Sequence, residues 1–496
     1  MTTNTIAKYY KHDLALLTDL YQLTMAYGYW KSGMADCEAA FHLFFRRNPF
    51  QGGFGVAAGL ESAISFLENF RYQTEDLDYL ATLRGASGDR LFDEDFLRYL
   101  DSMRFECDVL AVPEGSIVFP YEPLLRVTGP LIQAQLLETP LLNCVNFPTL
   151  IATKAARVCM AADGEEVLEF GLRRSQGIDG GLSAARAAFI GGCTATSNVL
   201  AGKLFDIPVR GTHAHSWVMA FETEGEAFQT YADAMPDNCV FLVDTYNSIE
   251  GVKRAIEVGR ELRAKGKDML GVRLDSGDLA YLSIQARELL DEAGFENTAI
   301  VASNELDEHI ISDLKRQGAC ISVWGVGTQL VTGGSQCALD GVYKVSAIRW
   351  PGKDWEYRLK LSEQMTKVSN PGILQVRRYR SKDENVADVL YNEGTQLEGG
   401  CTVIDPFDPT RRKRLGPDLT HEDLLKPIFD KGSCVYKSPS LREIQERVKA
   451  ELRHFHQGVK RFVHPHQYVV GLERSLYDLK IQLIERIRHH ESPYSD

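Results

Sequence analysis

The stretch VFLVDTYNSIEGVKRAIEVGRELRAKGKDMLGVRLDSGD, residues 240–278, decides the fold. It opens on a wholly apolar run, VFLV, and passes at once into a polar tail, Asp244-Thr245-Tyr246-Asn247. Ser248 then stands where it can cap a helix that carries Ile249, Val252 and Ile256 on one face. A second apolar run, 270–274, follows, and it too ends in a polar tail, RLDSGD at 273–278. Apolar runs joined by an amphipathic helix read as parallel strands buried on both faces.

The same texture extends in both directions. Short β-rich runs occur at 167–170, 208–211, 240–243, 270–274, 299–302 and 322–325. The later ones end about 30, 30 and 23 residues apart, the length of a β-α-β unit. Leu279, Leu282, Ala286 and Leu289 form the next helical face, and Gly294 supplies its stop. Six such runs favour an irregular parallel α/β barrel over an open sheet.

The flanks read differently. Residues 14–30 form a long apolar and aromatic segment with one charge, Asp19, and predict a buried or interface helix. Residues 40–45 predict a strand, 108–130 a small antiparallel sheet, and 136–157 a helix. Gly53-x-Gly55 with Gly59 lacks dinucleotide-loop spacing and is read as a flexible loop. Residues 343–348 close the repeat with a strand, and 350–400 is strand-and-loop material expected to pack on the N-terminal region. Ser440 and Glu443 form a capping box before Leu441, Ile444, Val448, Leu452 and Phe455. The expected organisation is an α+β domain over 1–160, completed by about 340–400, a barrel over 161–340, and a mainly helical appendage over 401–496.

Composition limits the partners. A 496-residue chain with 44% apolar residues predicts two or three domains. The formal net charge of −13 gives no electrostatic footprint for nucleic acid or an anionic membrane. Residues 441–490 are locally basic, ten Lys/Arg against six Asp/Glu, and read as a solvated helical face. Ten irregularly spaced cysteines suggest neither a zinc ribbon nor a disulfide framework. Residues 1–13 are polar without a secretory signal, and no apolar run reaches the ~18 residues of a membrane span. The expectation is a soluble cytoplasmic protein.

In a parallel barrel, chemistry collects just after the strands. The tails here are GLRR at 171–174, THAHS at 212–216, DTYN at 244–247, RLDSGD at 273–278, Ser303-Asn304, and GVGT at 325–328. Gly325, Gly327 and Thr328 lie on a late strand, where glycine amides and a hydroxyl can cradle phosphate. Arg173, Arg174 and Arg273 would place guanidinium forks in one mouth, suited to carboxylate and phosphate. The alternative is that they pair with Asp244, Asp275 and Asp278. Asp275 and Asp278 could hold ribose hydroxyls or Mg²⁺. His213 and His215 could be a metal pair, a general base or a nucleophile, and no metal ligand set is evident. No Walker loop is present, so ATP use would not run through one.

These residues resemble the nicotinate phosphoribosyltransferase family, from about Leu16 to Gly372. The matching segments are TDLYQLTM at 18–25, FFRRNP at 44–49, EFGLRR at 169–174, GTHAHS at 211–216, RLDSGD at 273–278 and GVGT at 325–328. The resemblance implies transfer of a phosphoribosyl group from 5-phosphoribosyl 1-pyrophosphate to nicotinate, giving nicotinate mononucleotide and pyrophosphate for NAD biosynthesis, with ATP hydrolysis coupled to it. It implies a type II phosphoribosyltransferase barrel in a homodimer with shared active sites, with Mg²⁺ as cofactor and ATP as co-substrate. His215 would be the histidine that ATP phosphorylates, acting with Arg273 and Asp275, which would contact ring or ribose. Tyr21 and Asp19 would come from the partner subunit, Tyr21 stacking on the pyridine ring, while Arg173 and Thr212 hold the nicotinate. Arg47, Ser276, Asp278, Gly327, Thr328, Lys367 and Ser369 would bind phosphoribosyl pyrophosphate. Ser369 stands where relatives often carry Thr, and the family pattern leaves His213 without a role.

Two alternatives carry distinct tests. A nicotinamide-using transferase is separated by comparing the two bases, and the paired Arg173-Arg174 favours a carboxylate. A non-catalytic binding or signalling relative would not be expected to keep Arg173, His215, Asp275 and Thr328 together.

Overall fold

The structure, a computed structural model, describes residues 14–397 and 399–490, so the reading of residues 1–13 lies outside it. The chain forms two compact units. One comprises Met1–Thr149, Leu339–Ser440 and Ala450–Asp496, the other Leu150–Ala338 and Leu441–Lys449.

The second unit holds six parallel strands: β1 (Glu166–Glu169), β2 (Ala195–Thr196), β3 (Val240–Leu242), β4 (Gly271–Leu274), β5 (Ala299–Ser303) and β6 (Val323–Val326). They lie in the order β2-β1-β6-β5-β4-β3. Val167, Phe241, Leu242, Val272, Leu274, Ile300, Trp324 and Val326 bury their side chains, which explains the continuous apolar runs. The helices Ser248–Ala264, Leu279–Glu292 and Glu308–Arg316 follow β3, β4 and β5. The first is capped one residue earlier than its sequence predicts. Asn247 is extended, and its Oδ1 accepts the N–H groups of Ile249 and Glu250, so Ser248 is already helical.

The run 208–211 is a correction. It makes a single parallel bridge, Thr196 to Val209, while the two-residue strand β2 takes the expected place in the sheet. Two residues within CTATS carry too little apolar pattern to stand out. This segment also closes the barrel. Flat strands about 4.8 Å apart would hold the edges β2 and β3 roughly 24 Å apart. Yet His213, four residues beyond Val209, accepts the N–H of Leu242 in β3 at 3.2 Å. Four residues reach at most about 14 Å. The sheet therefore curls into an irregular barrel, with 209–213 spanning the gap.

The first unit contains a seven-stranded antiparallel sheet in the order Glu356–Tyr357, Gly341–Arg349, Glu38–Phe45, Leu125–Pro130, Asp108–Ala111, Lys426–Asp430, Ser433–Cys434. Later chain thus completes the N-terminal sheet at both edges. The first helix runs Leu20–Lys31, shorter than the apolar segment, because Asp19 is extended and Leu14–Thr18 forms turns. Gly53 is no flexible loop: it is buried, and a Cβ there would lie 2.1 Å from the Val459 carbonyl oxygen.

The span 401–496 is not mainly helical. Arg412–Leu415, Cys401–Ile404, Val470–Glu473, Glu384–Asn392, Leu374–Ser381 and Thr420–Asp423 form a six-stranded mixed sheet. Runs such as RKRL and THED are too polar to read as strands, and pairing with neighbours sets them. Helices Leu441–Arg453 and Arg474–His490 are the helical remainder. Inside this unit Arg378 and Asp388, 1% and 0% exposed, form a buried ion pair that Tyr468 and Glu451 extend.

Candidate active site

The strand ends of the barrel converge on Arg273. Its Nε donates to Ser303 Oγ at 2.9 Å, Nη1 to Thr212 Oγ1 at 3.1 Å, and Nη2 to Asp275 Oδ1 at 3.3 Å. One planar fork thus ties the tails of β4 and β5 to the segment that closes the barrel. The pairing of Arg273 with Asp275 is the alternative that the sequence left open, and it coexists with the cluster. The Ser303 hydroxyl also donates to Asp275 Oδ1. Asp244 Oδ2, at the end of β3, accepts the Asp275 N–H at 2.8 Å and the Ser276 hydroxyl at 2.7 Å.

His215 begins a four-residue helical turn, His215–Val218, and stays partly open to solvent. Its Nδ1 lies 3.2 Å from Thr245 Oγ1, and its Nε2 lies 3.7 Å from Asp275 Oδ2. The Thr245 hydroxyl is the ring's hydrogen-bond partner, and the Asp275 carboxylate stands on its other side just beyond hydrogen-bond reach. His213 plays a different part. Buried against Phe228, Tyr231 and Phe241, it accepts a backbone N–H through Nε2, which requires the tautomer protonated on Nδ1. Burial lowers its pKa to about 4, so it stays neutral and structural.

Arg173 and Arg174 are exposed in the turn Leu172–Arg174 that follows β1. That turn is anchored by Glu169, a buried acid whose Oε1 accepts the Gly171 N–H and whose Oε2 accepts the Thr196 hydroxyl. Burial raises the Glu169 pKa. Beside it, β6 is followed by Gly327, where an added Cβ would lie 3.3 Å from the Phe170 carbonyl oxygen, and Thr328 opens the next turn. Arg173, Gly327 and Thr328 therefore sit on neighbouring strand ends.

Asp278 Oδ1 accepts the Tyr281 N–H at 3.1 Å, capping the helix Leu279–Glu292, a duty not assigned to it from sequence. Thr245, Ser303 and Glu169 received no assigned role from sequence, and Asp244 only that of a possible arginine partner, although all but Glu169 stand in the polar tails. Asp244 Oδ1 is buried without a hydrogen-bond partner among the described residues.

In the first unit, Asp19 Oδ2 accepts the Thr139 hydroxyl at 2.8 Å, and Tyr21 beside it is about half exposed. Arg47 is 84% exposed and pairs with Asp340 at 2.9 Å. Lys367 is exposed at the end of the turn Met365–Lys367, whereas Ser369 is buried, its Oγ accepting the Lys360 N–H at 2.8 Å.

Three family models cover nearly the whole chain. The nicotinate phosphoribosyltransferase (NAPRTase) N-terminal domain matches residues 16–146, the NAPRTase family 166–376, and the NAPRTase C-terminal domain 375–480. The chain belongs to the nicotinate phosphoribosyltransferase family.

Within that family, nicotinate phosphoribosyltransferase from Bacillus subtilis (strain 168) is 44% identical over 97% of each chain. The Homo sapiens protein of that name is 36% identical, covering 94% of this chain and 95% of its own. The crystal structure of human nicotinic acid phosphoribosyltransferase superposes with a TM-score of 0.82 at 34% identity, covering 94% of this chain and 99% of that one. The nicotinate-nucleotide pyrophosphorylase from Pyrococcus furiosus, at 24% identity and a TM-score of 0.67, shares the fold. Among the described residues no helix is long and apolar enough to cross a membrane.

Proposed function

We propose that this nicotinate phosphoribosyltransferase family member joins nicotinate to 5-phosphoribosyl 1-pyrophosphate, releasing pyrophosphate, and couples the transfer to ATP hydrolysis through phosphorylated His215. The observation that carries this reading is the partly open His215 ring, held between Thr245 and Asp275 beside the Arg273 fork.

A neutral imidazole is a competent nucleophile at physiological pH. Asp275 beside Nε2 offsets the positive charge that the ring acquires when Nδ1 takes the γ-phosphoryl group of ATP and ADP departs. The added dianion then draws neighbouring cationic groups and tightens the hold on phosphoribosyl pyrophosphate. Arg173 and Thr212 orient the nicotinate carboxylate, and Gly327 and Thr328 cradle the 5-phosphate. Breaking the bond between the anomeric carbon and pyrophosphate develops positive charge on ribose and negative charge on the leaving group, so basic groups at this mouth stabilise departure.

The residues fit Mg²⁺. Asp244 has a buried oxygen without a partner among the described residues, its other oxygen accepting the Asp275 N–H, while Mg²⁺ takes one or two carboxylates together with ligand phosphates. Asp244 would hold the ion, which when bound supplies positive charge to the diphosphate. In the homodimer, Tyr21, Asp19 and Arg47 reach the site from the partner chain. The exposed apolar side chains of Leu20, Tyr21 and Met25, with Leu17 just before them, support that role for the first helix.

The test is labelling with γ-phosphate-labelled ATP. The reading expects an acid-labile, base-stable phosphate on His215 that is lost in His215→Ala. Equal labelling of that variant would exclude it.

A further inference from the structure

The helix Arg474–His490 carries a buried lysine. Lys480 is 2% exposed, and its ammonium donates to Asn370 Oδ1 at 2.9 Å. Because Lys can only donate, the Asn370 amide must present its oxygen, which fixes that side chain's orientation. The ammonium also lies 5.4 Å from the Phe407 ring centroid, on the turn that Asp405 organises by accepting the N–H groups of Phe407 and Asp408. Burial lowers its pKa to about 8, with Asp405 opposing the shift. A buried ammonium is costly to desolvate, and a methionine or leucine would fill the same space without that cost. The charge therefore calls for a reason beyond packing.

Asn370 supplies one. It lies in Lys367-Val368-Ser369-Asn370-Pro371-Gly372, a segment held at several points by hydrogen bonds. Ser369 is bonded to Lys360, Gly372 N–H to the Ser346 carbonyl, Ile373 N–H to Asn392, and Leu374 N–H to His42 Nε2. The Tyr121 hydroxyl holds the Thr366 carbonyl at 3.1 Å. Lys367 is left exposed at the end of this frame. Its ammonium has the chemistry to meet a phosphate, and the frame holds the backbone that carries it.

We propose that Lys480 is a positioning residue: through Asn370 it sets the 366–372 turn from which Lys367 engages a phosphate of phosphoribosyl pyrophosphate. The inference rests on the reaction proposed above. It gives the last helix a part in substrate affinity, although that helix stands 110 residues away in sequence from the turn it holds.

Steady-state pyrophosphate release by the full-length chain tests it, with Lys480→Met, Asn370→Ala and the double variant titrated with phosphoribosyl pyrophosphate at saturating nicotinate. Loss of a charge-assisted hydrogen bond predicts that Lys480→Met raises KM for phosphoribosyl pyrophosphate about tenfold. It should leave kcat within about twofold, KM for nicotinate unchanged, and the thermal midpoint unchanged or higher. The double variant should be no worse than the worse single variant, since both remove one contact. An unchanged KM, additive single effects, or a uniform loss of all parameters in step with the thermal midpoint would overturn the positioning role. Should Lys480→Met not fold, Asn370→Ala is read in its place by the same criteria. If the parent chain releases no pyrophosphate, the proposed reaction itself fails, and this inference with it.

Discussion

His213 Nε2 accepts the Leu242 N–H at 3.2 Å, and this bond joins the segment that pairs with one edge strand of the barrel to the other edge strand. Replacing the ring by one that cannot accept, His213→Phe, leaves a buried N–H unpaired. The expected cost is about 1–3 kcal/mol of stability. Urea unfolding of the variant against the parent measures it, and an unchanged midpoint would show that the clasp contributes nothing.

Two buried histidines make stability depend on pH. Burial lowers His42 to about 3 and His213 to about 4, from an ordinary value near 6.5. Below pH ~6.5 the unfolded rings bind protons that the native rings refuse, so stability present above that value is lost as pH falls toward 4 and then 3. At pH 5 each residue withdraws about 2 kcal/mol relative to pH 7. Urea midpoints at pH 7 and pH 5 should show the loss, and His42→Gln should shrink it. An identical pH dependence in that variant would contradict the assignment.

Arg273 makes three directed hydrogen bonds that an ammonium cannot reproduce. Arg273→Lys should therefore lower kcat/KM about 100-fold while leaving the circular dichroism spectrum unchanged. Retention of activity within about threefold would remove Arg273 from the centre of the site.

The Arg378–Asp388 pair is buried on both sides. Asp388→Ala leaves the buried guanidinium with Glu451 still paired to it but without its bidentate partner, and should cost about 3 kcal/mol. The double replacement Arg378→Met, Asp388→Leu should recover most of that loss, and equal destabilisation of both variants would contradict this account.

The barrel was legible because strands buried on both faces must be continuously apolar, and each such run ends where polar residues resume. Position alone thus drew Arg273, Asp275, His215 and Thr212 together before any coordinates. What escaped was set by partners far away in sequence. The strand Ala195–Thr196 exists because Glu166–Glu169 pairs with it, and in the third sheet the edge strand Thr420–Asp423 pairs with the hairpin 374–392 while the other, Arg412–Leu415, pairs with Cys401–Ile404. Asp278, read only as a ligand group, also caps a helix from its position three residues before Tyr281. The division of labour between His213 and His215 was equally hidden. It depends on which ring reaches the Leu242 amide and which reaches the site mouth, and no spacing encodes that.

The most direct measurement is pyrophosphate release from 5-phosphoribosyl 1-pyrophosphate with nicotinate or with nicotinamide, each with and without ATP and Mg²⁺. The account predicts release that requires nicotinate, is far slower with nicotinamide, and rises when ATP is added. Faster release with nicotinamide, or none with either base, would contradict it.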